Sequence, residues 1–408
     1  MKYMDCRKGV DRMAGPLSGL KILDFTTLLP GPYATMNLAD MGAEVLRIVS
    51  GSRPDLVDLM PPFVPGTKLS AASCQLGRNK KVMTLNLKDE RAVQVIHKLI
   101  TDAGYDIVIE QFRPGVMEKF GLDYKNLRAV NERLIYCSLT GYGQTGSMRD
   151  KAGHDLNYVA LSGIASYSGK KDSGPPVLGI QIADVASGAN NAIIGILAAV
   201  IHRQNTGRGQ YIDVSMTDAL IAFHAMQGAA FLVDGKDIGR EETFTNGGGL
   251  YDYYETKDGR YLAFGGAEPQ FIRAFLEAIG RPDLVEEGLN MQTGAQVKGE
   301  VREVIKTKTL DEWKAVFDSV DACCVPVLTL SEVFASDLVK GRNMVVEVPG
   351  PNGITIKQIA CPIKFSESCP EYHHCGVPKD QANTAEIMQN LGYSLQEIEE
   401  FTKTGLFS

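Results

Sequence analysis

Leu20-Lys21-Ile22-Leu23-Asp24-Phe25, followed by Leu29-Pro30-Gly31-Pro32 and then by Ala43-Glu44-Val45-Leu46-Arg47-Ile48-Val49, is the stretch from which the fold is read. The first and last segments are short, apolar and rich in branched side chains, as buried strands are. Between them the prolines sit where a helix begins, the helix runs through Tyr33–Met41, and Gly42 closes it. This is a β-turn-α-β unit, and the pattern recurs. Lys81–Leu87 reads as a strand, Asp89–Ala103 as a helix with apolar residues at Ala92, Val95, Ile96 and Leu99, and Tyr105–Glu110 as a strand again. Leu134–Thr140 supplies another. The first part of the chain therefore predicts a parallel sheet wrapped by helices, an α/β fold.

Further along, Ile180–His202 has the length and Ala/Ile/Gly content of a core helix, Gln210–Val214 reads as a strand, and Met216–Val233 as a second apolar helix. Asp234–Gly249 is rich in Gly and charged residues and marks a linker. Leu250–Glu255 and Arg260–Gly265 flank Thr256-Lys257-Asp258-Gly259 as a hairpin, with helices expected at Gln270–Ile279 and Leu310–Ser319. Pro349-Gly350-Pro351-Asn352-Gly353 is the last strong break, with a strand (Ile354–Ile359) and a polar helix (Ala382–Leu391) after it. The expected organisation is a disordered extension at 1–13, a large α/β domain at 14–233, a linker at 234–249, a small α+β domain at 250–348, and a C-terminal segment at 349–408. Met13 stands directly before Ala14, so either Met1 or Met13 suits a translation start.

The chain has 408 residues with 42 Lys+Arg against 49 Asp+Glu, a formal charge of -7. That balance argues against general nucleic-acid binding, which needs a concentrated positive face. Eight scattered cysteines without CxxC spacing predict reduced thiols rather than a disulfide scaffold. We read no apolar run approaching the ~18 residues of a membrane span, and no apolar core in the N-terminal segment of the kind a secretory signal has. A cytoplasmic protein with no membrane partner is expected.

Several segments have the composition of chemical sites, and each also has a plain structural reading. Gly141-Tyr142-Gly143-Gln144-Thr145-Gly146 matches GxGxxG, but no helical period follows it, so it reads as a glycine-rich loop. His154 in Gly153-His154-Asp155-Leu156-Asn157-Tyr158 suits acid/base work because an unperturbed imidazole titrates near ~6.5, although a lone histidine also serves packing. Asp155 stands where a helix cap would. Asp184 precedes a long apolar helix and is either its cap or a carboxyl whose proton affinity is raised by an apolar wall. Glu268 in Glu268-Pro269-Gln270-Phe271 is either a first-turn glutamate or a functional carboxylate. Arg78, Lys80, Lys81, Phe112 and Arg113 bring positive charge to strand edges, where they would make a phosphate site. His373-His374 with Cys369 and Cys375 does not follow a zinc spacing, so no metal site is expected.

Taken together, these blocks resemble the class III CoA-transferase superfamily, and within it the α-methylacyl-CoA racemase branch. The likeness runs from Gly15-Pro16-Leu17-Ser18-Gly19-Leu20 through Pro30-Gly31-Pro32, Arg113-Pro114-Gly115 and Leu139–Gly146 to Cys324-Val325-Pro326-Val327. The racemase branch is marked by the Gly153–Tyr158 block, Asp184 and Glu268-Pro269-Gln270-Phe271. The resemblance implies an interlocked homodimer with a large Rossmann-like domain and a smaller α+β domain. It implies an acyl-CoA thioester substrate, proton transfer by His154 and Asp184, and support from Glu268 supplied by the partner subunit. Arg47, Arg78, Lys80, Lys81, Phe112 and Arg113, with Asp155 and Tyr158 at the thioester end, are the implied CoA contacts, and no further cofactor is needed. Transferases of the superfamily use the aspartate matching Asp184 as a nucleophile. Two departures stand out: where the family has a basic residue shortly after the second strand this chain has Val49-Ser50-Gly51-Ser52-Arg53, with Arg53 as the candidate substitute, and lysines stand at 80 and 81 where the family is richer in arginine.

Overall fold

A computed structural model of the chain describes residues 15–290 and 293–408. The expected extension at 1–13 lies outside the described residues. The chain divides into two compact units. The first comprises residues up to Tyr158, Ile180–Leu220 and Lys340–Ser408; the second comprises Val159–Gly179 and Ile221–Val339. The segment after Lys340 is thus part of the first unit. The second unit begins earlier than the expected linker and takes in 159–179, a segment that the composition had grouped with the large domain.

In the first unit, β1 (Lys21–Asp24), β2 (Glu44–Val49), β3 (Lys80–Thr84), β4 (Ile107–Glu110), β5 (Ile135–Thr140) and β6 (Tyr211–Ser215) form a six-stranded sheet in the order β3-β2-β1-β4-β5-β6. Every neighbouring pair is parallel. This is the doubly wound order, in which the chain reverses direction across the sheet between β1 and β4. β4 and β5 are buried along their whole lengths, which is why they read as continuous apolar runs. The helix Pro30–Asp40 has proline at its first positions and its helical pattern ends at Met41, just before Gly42. The helix Arg91–Thr101 buries Ala92, Val95, Ile96, Leu99 and Ile100 on one face against the sheet core.

Three elements depart from the sequence reading. The expected helix Ile180–His202 begins at Ala183 as a π-helical turn (Ala183–Ala189) and continues as an α-helix (Asn190–Thr206). By length and mean hydropathy, 1.5, the whole of Ala183–Thr206 has the dimensions of a membrane span, contrary to the expected absence of such a run. It is a packed helix, with Ala192, Ile196 and Ala199 fully buried and β5 and β6 against it. The expected helix Met216–Val233 is two helices, Met216–Ala222 and Gln227–Asp234. His224, in the break, is held by the Ser162 carbonyl (2.7 Å) and the Tyr167 hydroxyl (2.9 Å), a packing role. Cys369 is disulfide-bonded, against the expectation of reduced thiols throughout, while Cys74, Cys137, Cys323, Cys324, Cys361 and Cys375 are free.

The second unit carries β7 (Asp252–Glu255), β8 (Tyr261–Phe264) and β9 (Cys324–Pro326) in an antiparallel sheet. The expected hairpin is β7–β8; β9 is too short to show a period. Phe264, Phe275, Trp313 and Phe317 fill the core behind it. Back in the first unit, β10 (Val345–Pro349) pairs with β11 (Thr355–Ile359) across the Pro-Gly break.

The C-terminal segment is bound to the first unit by buried polar contacts. Arg78, with no exposed surface, donates from Nε to Asp40 Oδ1 (2.9 Å), pairs with Asp40 Oδ2 through Nη2, and donates from Nη1 to Gln358 Oε1 (2.8 Å). Its guanidinium lies over the Tyr372 ring. A buried guanidinium and carboxylate satisfy each other here, and removing one leaves the other charged and unsolvated. Arg78→Ala is therefore expected to destabilise the fold by about 3–5 kcal/mol. Urea unfolding of the variant checks this, and an unchanged midpoint would contradict the assignment.

Candidate active site

Two short segments of the first unit build the site. Gly153-His154-Asp155 leads into the helix Asp155–Leu161, and Asp184 lies in the first turn of the π-helix. A π-turn widens the helix and leaves amides at its start without partners in the turn before. The Asp184 N–H is satisfied from outside, by Asp155 Oδ1 at 3.0 Å. Asp155 therefore links the start of the helix bearing His154 to the start of the helix bearing Asp184. The two predicted proton-transfer residues belong to segments joined by this bond.

The His154 segment is shaped by a close backbone approach. The Tyr158 hydroxyl donates to the Gly153 carbonyl, and the Tyr142 and Tyr158 rings meet edge to face at 5.2 Å. A Cβ on Gly153 would lie 2.6 Å from the Tyr158 ring and 2.7 Å from the Tyr142 hydroxyl, so only glycine fits. Asn157 Oδ1 accepts from the His154 N–H (3.0 Å), which sets the turn into the helix and leaves the His154 side chain exposed. Tyr158 itself is buried, and burial with the nearby Asp184, Tyr142 and Asp155 pushes its phenol up to about 12.

Burial, and then the negative charge of Asp155, push the Asp184 carboxyl up to about 6. A carboxyl with that proton affinity exchanges a proton readily near neutral pH, which suits a proton shuttle. Glu268 belongs to the second unit. It is the residue before the helix Pro269–Ala278, is exposed, and makes no cap bond with its side chain. Gly248, in the run Gly247-Gly248-Gly249 of the same unit, has its N–H committed to the Thr243 carbonyl at 2.8 Å.

The expected basic cluster is rearranged by the structure. Arg78 and Lys80 are fully buried, Arg78 in the Asp40 pair and Lys80 against Asp24 at 3.3 Å, with the Pro32 carbonyl and Thr35 hydroxyl as further acceptors. With no exposed surface, neither reaches a phosphate; both are structural ion-pair partners. Burial lowers the Lys80 ammonium to about 8, with Asp24 opposing the effect. Lys81 is partly exposed beside Glu44 at 3.7 Å, at the start of β3, whereas Arg113 follows the end of β4. They occupy opposite ends of parallel strands, so the two clusters do not form one patch. Arg47 is paired with Asp55, and Phe112 packs edge to face on Phe120 at 6.2 Å. Beyond the second strand, Lys379 of the C-terminal segment donates to the Ser50 carbonyl at 2.9 Å and to that of Arg53. This brings a second cation, beside Arg53, to the loop after the second strand.

Sequence reasoning passed over Glu110, which looks like the last residue of an apolar strand. It is buried, accepts from the Phe112 N–H at 2.8 Å, and burial pushes its carboxyl up to about 7. With Arg113, Ser138, Gln144 and Tyr211 it lines a cavity of about 290 Å³. The GxGxxG loop opens no helix; its Gln144 N–H is held by Asp213 Oδ2 at 2.9 Å. Among the described residues, no cluster of three His, Cys, Asp or Glu side chains has the arrangement of a metal site.

Residues 17–383 match the family described as CoA-transferase family III, and the chain belongs to that family. It is 32% identical over 390 residues to the alpha-methylacyl-CoA racemase of Homo sapiens, covering 94% of this chain and 95% of that one. It is also 32% identical over 389 residues to the succinate–glutarate CoA-transferase of Agrobacterium fabrum, covering 92% and 96%. Among solved structures it is similar to a CAIB/BAIF family protein from Brucella suis, with a TM-score of 0.80 and 27% identity, covering 93% of this chain and 100% of that one. The protein is therefore an enzyme of the CoA-transferase family III superfamily, whose members act on acyl-CoA thioesters.

The packing around Gly153 is open to direct test. Gly153→Ala places a methyl group against the Tyr158 and Tyr142 rings, and overpacking of this kind costs about 1–3 kcal/mol. A lowered thermal midpoint together with weakened substrate turnover is expected; a variant indistinguishable from the parent in both would show that the rings yield freely.

Proposed function

We propose that the protein racemises 2-methylacyl-CoA thioesters by 1,1-proton transfer through an enolate. The observation that carries this reading is Asp184, a half-buried carboxyl pushed up to about 6, tied through Asp155 to the segment bearing His154. A thioester sulfur donates weakly into its carbonyl, so the α-proton is acidic enough for side-chain bases and the enolate is accessible. Neutral His154 takes the proton from one face of the α-carbon, and protonated Asp184 delivers one to the other; in reverse the roles exchange. The amides at the start of the Asp155 helix are assigned to the enolate oxygen, and Tyr158 and Asp155 to the thioester end of the pocket. Lys81, Phe112 and Arg113 stay in the proposed set of CoA contacts, and Lys379 joins it. In this reading the thioester supplies the activation and no further cofactor takes part.

Within the same reading the enzyme works as a homodimer, with Glu268 of the partner subunit orienting His154. Exposed apolar side chains support association: Ile194 and Ile201 on the long helix, and Phe231, Leu232 and Val233 near the end of another. A second reading, CoA transfer between carboxylic acids with Asp184 as nucleophile, is favoured by the equal identity to a CoA-transferase.

The racemase reading requires one proton shared between His154 and Asp184. The rate is expected to be bell-shaped in pH, falling when a second proton is added and when the last is removed. His154→Ala and Asp184→Asn are each expected to lose at least about 100-fold in the rate of epimer interconversion. Chiral analysis of the product checks this. Full interconversion in either variant contradicts the assignment, and loss of acceptor-dependent CoA transfer in Asp184→Asn alone, with His154→Ala unaffected, favours the transferase reading.

A further inference from the structure

We propose that Asp155 is a positioning residue that holds Asp184 as a proton donor and disfavours its use as a nucleophile. The inference rests on the racemase reading and deepens it.

Asp155 makes two kinds of contact with Asp184. Its Oδ1 accepts the Asp184 backbone N–H at 3.0 Å, which fixes the first turn of the π-helix against the start of the Asp155 helix. The same carboxylate places a negative charge beside a half-buried carboxyl that makes no side-chain hydrogen bond of its own in the network described above. An ionised Asp184 would face a like charge in a partly desolvated site, and the protonated form avoids it. Where two carboxyl groups share a site, their proton affinities are driven apart, and the one that stays neutral is the acid.

Among the described residues, the three elements that pack most extensively on the π-turn bring no compensating cation. The helix Pro30–Asp40 carries Tyr33 and Asp40, and Asp40 is bound to Arg78. The helix Asn190–Thr206 carries His202 and Arg203, and Arg203 is bound to Asp106 at 2.9 Å. β5 offers Tyr136 and Cys137, both buried. From its own side Asp184 meets Tyr158, whose phenol stays protonated near neutrality. Asp155 is thus the charged neighbour that adds to the effect of burial on Asp184.

The two chemistries of this site demand opposite states. As a nucleophile, an ionised Asp184 oxygen bonds to the thioester carbonyl carbon while the C–S bond breaks and the CoA thiolate leaves. As a proton donor, Asp184 must hold its proton when the α-carbon presents its face. The Asp155 charge opposes the first and supports the second. Asp155→Asn keeps an oxygen that can accept the Asp184 N–H and removes only the charge.

The test is to follow the Asp184 carboxyl by ¹³C NMR titration in the full chain and in Asp155→Asn, assigning its signal by loss in Asp184→Asn. Its midpoint is expected to move to lower pH by about one pH unit, the size of a neighbouring-charge effect. The acidic limb of the epimerisation pH profile moves with it, and CoA transfer to an added free acid rises relative to epimerisation. A merely structural Asp155 would lower thermal stability and leave midpoint and profile in place, which overturns the proposal. If Asp155→Asn does not fold, Asp155→Ser serves for the same titration. Absence of epimerisation in the parent protein, with the midpoint shift intact, would defeat the racemase reading and leave the coupling between the two carboxyls standing.

Discussion

The fully buried Lys80 ammonium is the constraint on which the first unit depends. It reaches from the start of β3 to the Asp24 carboxylate at the end of β1, and it also donates to the Pro32 carbonyl and Thr35 hydroxyl in the helix that follows. Asp24 in turn accepts from the Thr26 N–H at 2.9 Å and from the Thr26 and Thr35 hydroxyls. Burial alone would raise the Asp24 carboxyl, but Lys80 and these donors hold it below the usual carboxylate range, so the pair is ionised and fully hydrogen-bonded. Such a pair gains stability only when every donor and acceptor is met, and here the geometry meets them. One network thereby fixes two strands and a helix at the end of β1, beside the position where the sheet order reverses.

With that frame set, the site depends on a smaller contact. The π-turn at Ala183–Ala189 offers an amide without a helical partner, and Asp155 takes it. The same bond that satisfies a backbone donor places two carboxyls side by side, which is an electrostatic liability unless one of them is neutral. Structure and chemistry are coupled at this point: the device that positions Asp184 is also the device that tunes it. Gly153 contributes by its lack of a Cβ, since the Tyr142 and Tyr158 rings occupy the space a side chain would need.

Much of this was legible in the residues themselves. The apolar runs at β1, β2, β4 and β5, the proline start at Pro30 and the spacing of Ala92, Val95, Ile96 and Leu99 predict the elements to within a few residues, because burial on both faces of a parallel sheet leaves an unmistakable composition. His154, Asp155, Tyr158 and Asp184 were singled out by the resemblance of their local blocks, and the structure joins the segments that carry them through the Asp155–Asp184 hydrogen bond. The fates of Arg78 and Lys80 were not, because a charged side chain reads the same whether it is solvated or paired in the core. Their partners Asp40 and Asp24 lie 38 and 56 residues away. Glu110 was hidden for a related reason: a carboxyl at the end of an apolar strand looks like the edge of the strand. The π-turn has no periodic signal over seven residues, and the break at His224 lies in a stretch whose composition is uniformly apolar.

The central claim is that this site moves an α-proton of an acyl-CoA thioester. The most direct measurement incubates the protein with a single epimer of a 2-methylacyl-CoA in D2O, with no acceptor acid present, and follows deuterium at the α-carbon together with the epimer ratio. The account predicts deuterium entry accompanied by drift toward a mixture of epimers. Retention of the α-proton and of the starting epimer, with CoA passing to a free acid once one is added, would contradict it.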